Sequence, residues 1–238
     1  MKFLESANFD WMEMLNFYEP PFRAKFVPAK VWKDLDRYEN DSIGLSHYLR
    51  KWRTRIDWIE EKSKAEYYNH YIAIGGEYAF DERQVVVIIM TNKFDTFKFS
   101  QKSWDRFKYK VIQVIMHELV HFMQYDRRYD QCSNYVVPFK KIGHSRKDAE
   151  RAYLSEFDEI QAYAHCIWLD YKVSKPTIPL ETLLARAHRK HDSKTMSYFL
   201  RTFDYDYKNN HAIPKVMKQI MKWESRYQRV IKAQGQPK

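Results

Sequence analysis

The chain has 238 residues, 45% of them apolar and 17% aromatic, with 41 Lys and Arg against 31 Asp and Glu for a formal net charge of +10. That length and apolar content suffice for one sizeable core, while only 5 Gly and 8 Pro exclude Gly/Ser linkers and low-complexity tracts. No stretch has the apolar length of a bilayer span, and the opening MKFLESANFDWMEM lacks the charged-then-apolar layout of a signal peptide. The expectation is a single domain over residues 1–238, cytoplasmic and without a membrane partner, its two cysteines, Cys132 and Cys166, free thiols.

In chain order, Leu45, Leu49, Trp52, Ile56 and Ile59 recur at steps of four and three, which predicts an amphipathic helix from Ser42 to about Lys62. The segment YIAIGGEYAFDERQVVVIIMT follows with two strand-like runs, Tyr71 to Ile74 and Gln84 to Thr91, separated by Gly75-Gly76 and Asp81-Glu82-Arg83. The unbroken apolar run Val85 to Met90 predicts a strand buried on both faces and packed under a helix. Ser100 or Ser103 is placed to cap the next helix, with Asp105 in its first turn, and that helix runs through VIQVIMHELVHFMQYD, residues 111–126. Further helices are expected at about 150–171, 180–191, 194–203 and 214–232. Strands before the central helix and helices after it describe an α+β fold: a small mixed sheet packed on the central helix, with a mainly helical C-terminal half.

The last helix is basic. From Pro214 to the end Lys215, Lys218, Lys222, Arg226, Arg229, Lys232 and Lys238 oppose Glu224 alone. Val216, Met217, Ile220, Met221, Tyr227, Val230 and Ile231 fall at helical spacing as a buried stripe, so the charges read as a solvated face. The other reading is a nucleic-acid partner, which a positive balance favours. A short disordered tail is expected after the helix.

His117, Glu118 and His121 spell H-E-x-x-H inside an apolar run. Positions i and i+4 of a helix share a face, so both imidazoles can point at one cation, while Glu118, turned by about 100°, reaches a water on it. With 9 His and 15 Glu in the chain, random placement yields about 0.02 such matches. Burying two imidazoles and a carboxylate without partners is costly, and a metal removes that cost. With three protein ligands and an open fourth position, Zn²⁺ acidifies its water and a glutamate takes the proton during attack on a polarised carbonyl.

The third ligand is sought downstream. YLSEFDEIQAYAHCIWLDY is a predicted helix carrying Glu156 and Glu159, 35 and 38 residues beyond His121. A carboxylate from the following helix is the gluzincin arrangement, and Glu159-Ile160-Gln161-Ala162-Tyr163-Ala164 resembles the E-x-x-A-x-A helix of ImmA/IrrE-type and of uncharacterised phage-encoded metallopeptidases. That resemblance, over roughly residues 100–170, implies a zincin-like fold, Zn²⁺ on His117, His121 and Glu159, Glu118 as general base, and a protein or peptide substrate. For a phage-encoded chain it implies the host cytoplasm or a virion. Periodicity leaves Glu156 open, because Phe157, Ile160, Ala164, Ile167, Trp168 and Tyr171 form the apolar stripe and Glu156 lies nearer its centre. Tyr163 stands where thermolysin-type enzymes carry an Asp, four residues after the ligand, so support for the imidazoles must come from elsewhere.

His144 is the alternative third ligand, from SprT-like proteases that act on DNA-linked proteins. Its 22-residue gap from His121 and its order Gly143-His144-Ser145 depart from that family's pattern. His165 and Tyr163 are candidate oxyanion or substrate contacts, as is Tyr135. Beside the peptidase stand a nucleic-acid-associated protease and a non-catalytic zinc-binding structural or virion protein.

Overall fold

A computed structural model describes residues 33–38, 44, 54–59, 72–79, 84–91, 101–127, 145–174, 177–187 and 193–233. His144, Tyr135, Cys132, the linking residues 80–83 and the tail after 233 lie outside the described residues. The described residues are mostly helical with a small mixed sheet, an α+β class. Its strands are β1 (Thr54–Ile59), β2 (Ile72–Ala79) and β3 (Gln84–Thr91), in the order β1-β3-β2. β1 runs parallel to β3 and β2 antiparallel to it. Val85, Val86 and Val87 are all buried, and successive strand residues point to opposite faces, so β3 is covered on both sides as its sequence predicts.

Two expectations for this half are corrected. The helix from Ser42 to about Lys62 is overturned at Thr54–Ile59, which is a strand in register with Val85 to Met90; Gly44 is helical. Within this stretch Thr54, Ile56 and Trp58 also alternate with Arg55 and Asp57 at the period of a strand, and ladder pairing with β3 outweighs helical periodicity. Gly75-Gly76 is no separator: both glycines sit inside β2, opposite Ile88 and Val87.

Among the described residues six helices follow: α1 (Gln101–Arg127), α2 (Arg146–Ser155), α3 (Phe157–Ser174), α4 (Leu180–Arg186), α5 (Lys194–Thr202) and α6 (Ala212–Ala233). α1 is buried almost all round from Val111 to Met116 and from Glu118 to His121, so its β-branched Val and Ile residues are held helical by packing on every side. Ser103 is its third residue rather than its cap, and Asp105 lies beyond the first turn, 3.3 Å from the ammonium of buried Lys108. Lys108 also pairs with Asp36 of the short 3₁₀ turn Asp36–Tyr38.

The helix expected over about 150–171 is two helices. Glu156 breaks it with an extended backbone, φ −63° and ψ 141°, closing α2 through its N–H to the Tyr153 carbonyl and opening α3 by accepting from the Ile160 N–H at 2.9 Å. α4 ends at Arg186, short of the expected 191, and α5 starts behind Ser193, whose hydroxyl accepts from the Met196 N–H at 3.0 Å. The Asn210 side chain accepts from the Ala212 N–H at 2.8 Å and so caps α6. α6 packs along α3, where Trp168 donates to Glu224 at 2.8 Å and Lys172 pairs with the same carboxylate at 2.7 Å. The described residues fall into two compact units, one running up to Phe122 and the other from Met123 onward, the boundary falling inside α1.

Gly76 marks where the sheet meets α1. A Cβ there would stand 2.5 Å from Val114 Cγ1 and 2.9 Å from Glu118 Oε1, so only glycine lets the strand backbone lie this close. At Gly75 a Cβ would meet nothing within 4 Å. Gly76→Ala should therefore cost about 1–3 kcal/mol through overpacking, whereas Gly75→Ala should be close to neutral. Denaturant unfolding of the two variants checks this, and equal stability would contradict the close approach.

Candidate metal centre

α1 presents His117, His121 and Gln124 on one face, since their helical positions at about 0°, 40° and −20° span less than a fifth of a turn. The two imidazoles meet edge to face, with ring centroids 4.9 Å apart and Nε2 to Nε2 at 3.2 Å. Two ring nitrogens that close are bridged by one proton or by one cation. His117 is half-buried, whereas His121 and Glu118 are buried. Glu118 is turned about 100° round the helix from His117 and about 60° from His121, its Oε1 beside Gly76 of β2.

On the other side of the boundary within α1, Gln124 is buried and its amide nitrogen donates to the Asp158 carbonyl at 3.1 Å and to Gln161 Oε1 at 2.9 Å. Those partners flank Glu159. Because α3 begins at Phe157, Glu159 sits in its first turn together with Asp158, where the positive end of the helix dipole favours a carboxylate. Glu159 is buried, at 3% exposure.

His117, His121 and Glu159 each offer one ligand atom, and these atoms lie within 4.8 Å of one another. A tetrahedral shell with bonds of ~2.1 Å sets neighbouring ligand atoms about 3.4 Å apart, so the imidazole pair already has that spacing. Two imidazoles and one carboxylate suit zinc and related first-row divalent ions, and a set of three leaves a fourth position for water or substrate. The residues present thus fit a metal ion.

The other candidates go elsewhere. Glu156 is exposed at the α2–α3 junction, and Phe157, expected in the buried stripe, is 54% exposed beside it; Ile160, Ala164, Ile167, Trp168 and Tyr171 are buried as expected. The reason is the helix break, which puts Glu156 outside the helix whose periodicity would have centred it. His165 is fully buried and packs against Trp168 and, edge to face, Trp223 of α6, at centroid distances of 5.8 and 4.8 Å. It lies about 120° round α3 from Glu159, so it belongs to the α3–α6 packing. Tyr163, one turn after Glu159, is half-buried against Tyr198 and Phe199 of α5 at 6.2 and 6.1 Å. Cys166 is buried.

Gln124 and Gly76 are the residues of this region that sequence reasoning missed. The signal for Gln124 was its place seven residues after His117 on the imidazole face of an apolar run; the signal for Gly76 was masked by the turn reading of a Gly-Gly pair.

Metal titrations separate these roles. Glu159→Ala should lower zinc affinity sharply and Glu156→Ala should leave it unchanged. Gln124→Ala should lower it about 10- to 100-fold through loss of the bonds that hold the first turn of α3. A loss in Glu156→Ala with none in Glu159→Ala would reverse the assignment.

No protein-family model, no curated protein and no solved structure matches this chain.

Proposed function

We propose that the protein is a zinc-dependent peptidase of the HEXXH type, with a gluzincin ligand set and zincin-like packing of its sheet on α1. The observation that carries this reading is the convergence of the His117, His121 and Glu159 ligand atoms, with Glu118 on the same helix, buried and next to a strand. His117, His121 and Glu159 would hold the zinc, which would supply Lewis acidity to polarise a scissile carbonyl and acidify a water.

Glu118 then has two tasks for which its position suits it. It accepts the proton of the attacking water and passes it to the departing amine, as general base and then general acid. Its burial beside β2 limits its rotamers and keeps its charge out of bulk water. β2 pairs with β3 along one side only among the described residues, so its other edge has the backbone groups to align an extended peptide next to Glu118. Glu159 as the carboxylate of the ligand group favours this reading over the SprT-like one, which needs His144. Among the described residues no helix is long and apolar enough to cross a membrane.

Glu118→Gln should retain stoichiometric zinc and an unchanged melting temperature while losing about 10²- to 10⁴-fold in peptide hydrolysis. Incubation of both proteins with a proteome-derived peptide library, read by mass spectrometry, checks this, and chelation should abolish the same products. Equal cleavage by both proteins with zinc retained would rule out the mechanism. No zinc-dependent cleavage by the native chain over a broad library would move the reading to a zinc-stabilised structural protein.

A further inference from the structure

We propose that the outward face of α6 is a docking surface for the phosphate backbone of nucleic acid. The proposal goes beyond the peptidase reading and does not rest on it. α6 has an inner and an outer side of opposite chemistry. Val216, Ile220 and Tyr227 are buried, and Glu224, the helix's one acidic residue, turns inward to accept from Trp168, Lys172 and Gln228. Its charge is therefore spent on Lys172 of α3, and α6 has no other carboxylate to set among its outer cations.

Taking Lys215 as 0°, Lys218, Lys222, Arg226 and Arg229 fall at about 300°, 340°, 20° and 320°, an arc of about 80° on the side away from Val216 and Ile220. Lys232 extends it at about 260°. Lys215, Lys218, Lys222, Arg229 and Lys232 are exposed, and none is in an ion pair among the described residues. Arg226 lies over the Trp223 ring at 5.8 Å, which holds its guanidinium along the helix.

Length and composition choose the partner. From Lys215 to Arg229 the stripe is about 21 Å long, the span of about six phosphates on one duplex strand at 3.4 Å each. Five cations about 5 Å apart along a rigid helix thus face a strand that carries about six phosphates over the same length. An anionic membrane surface fits less well, because interfacial helices insert an apolar face and here that face is buried against α3. An acidic protein fits less well too, since lysine is depleted from protein interfaces and four of these six cations are lysines.

The test is the binding of a fluorescein-labelled 25-base-pair duplex to the full chain over 50–200 mM KCl. Five phosphate contacts predict a log–log salt slope of about −4.5 and a loss of affinity of about 500-fold over that range. Lys215→Ala/Lys218→Ala/Lys222→Ala should flatten the slope to about −1.8, while Lys194→Ala/Lys208→Ala, exposed elsewhere, should leave it unchanged. Should the triple variant melt early, Lys218→Ala and Lys222→Ala alone should each remove about one unit of slope. Absent binding at 50 mM KCl, an unchanged slope in these variants, or tighter capture by phosphatidylserine vesicles or polyglutamate that the duplex fails to displace would each overturn the proposal.

Discussion

A helix buried on nearly every side cannot carry two imidazoles and a carboxylate unless each is given a partner, because an unpaired polar group in an apolar interior costs several times the value of an ordinary hydrogen bond. α1 lies under that constraint. Its answer is directional: the two imidazoles face one another at 3.2 Å, and the carboxylate of Glu118 is turned to the sheet. The glycine at position 76 follows, since any side chain on that strand residue would occupy the space of Val114 and Glu118. A β-carbon missing from β2 is thus part of how the central helix is accommodated.

The same helix organises what comes after it. Gln124 ties its last turns to the start of α3 by holding a backbone carbonyl and a side-chain amide on either side of Glu159. α3 begins there because Glu156 is extended, which also gives Glu159 a first-turn position suited to negative charge. Further along, α3 is anchored on α6 by Trp168, Lys172 and Glu224 and by the packing of His165 between two indoles. Loss of Glu224 would leave the Trp168 N–H and the Lys172 ammonium without their shared acceptor in a partly buried place, so this carboxylate is worth more to the fold than an exposed ion pair would be.

An inward acid and outward bases make α6 two helices in one. The inner stripe of Val216, Ile220 and Tyr227 is what the hydropathy pattern predicts, and a basic outer face is its ordinary complement. Uncommon here is the absence of alternating charge: helices that merely solvate a core usually interleave Glu with Lys at i, i+4 spacing, which adds a few tenths of a kcal/mol per pair. α6 forgoes that stabilisation along its exposed length and keeps a field of one sign, a pattern with consequences for encounter with anions rather than for folding.

HELVH placed two imidazoles on one helical face and the glutamate off it by arithmetic on 3.6 residues per turn, which needs no knowledge of the rest of the chain. The double-sided burial of β3 and the inner stripe of α6 were legible for the same reason: apolar patterning is local, and the residues that bury it are counted within one element. Three features were decided only by tertiary structure. Thr54 to Ile59 became a strand because a ladder partner thirty residues away offered pairing that helical periodicity cannot register. Gly75-Gly76, a turn by its local preference, became the middle of β2 because α1 needed the room. Glu159 joined the imidazoles and Glu156 did not, because the choice turns on where α3 starts, and that start depends on one extended backbone angle and on Gln124 gripping its first turn. Spacing within an element is covalent geometry and can be read from the chain; the meeting of elements is a balance of burial, pairing and close approach that exists only once the chain has folded.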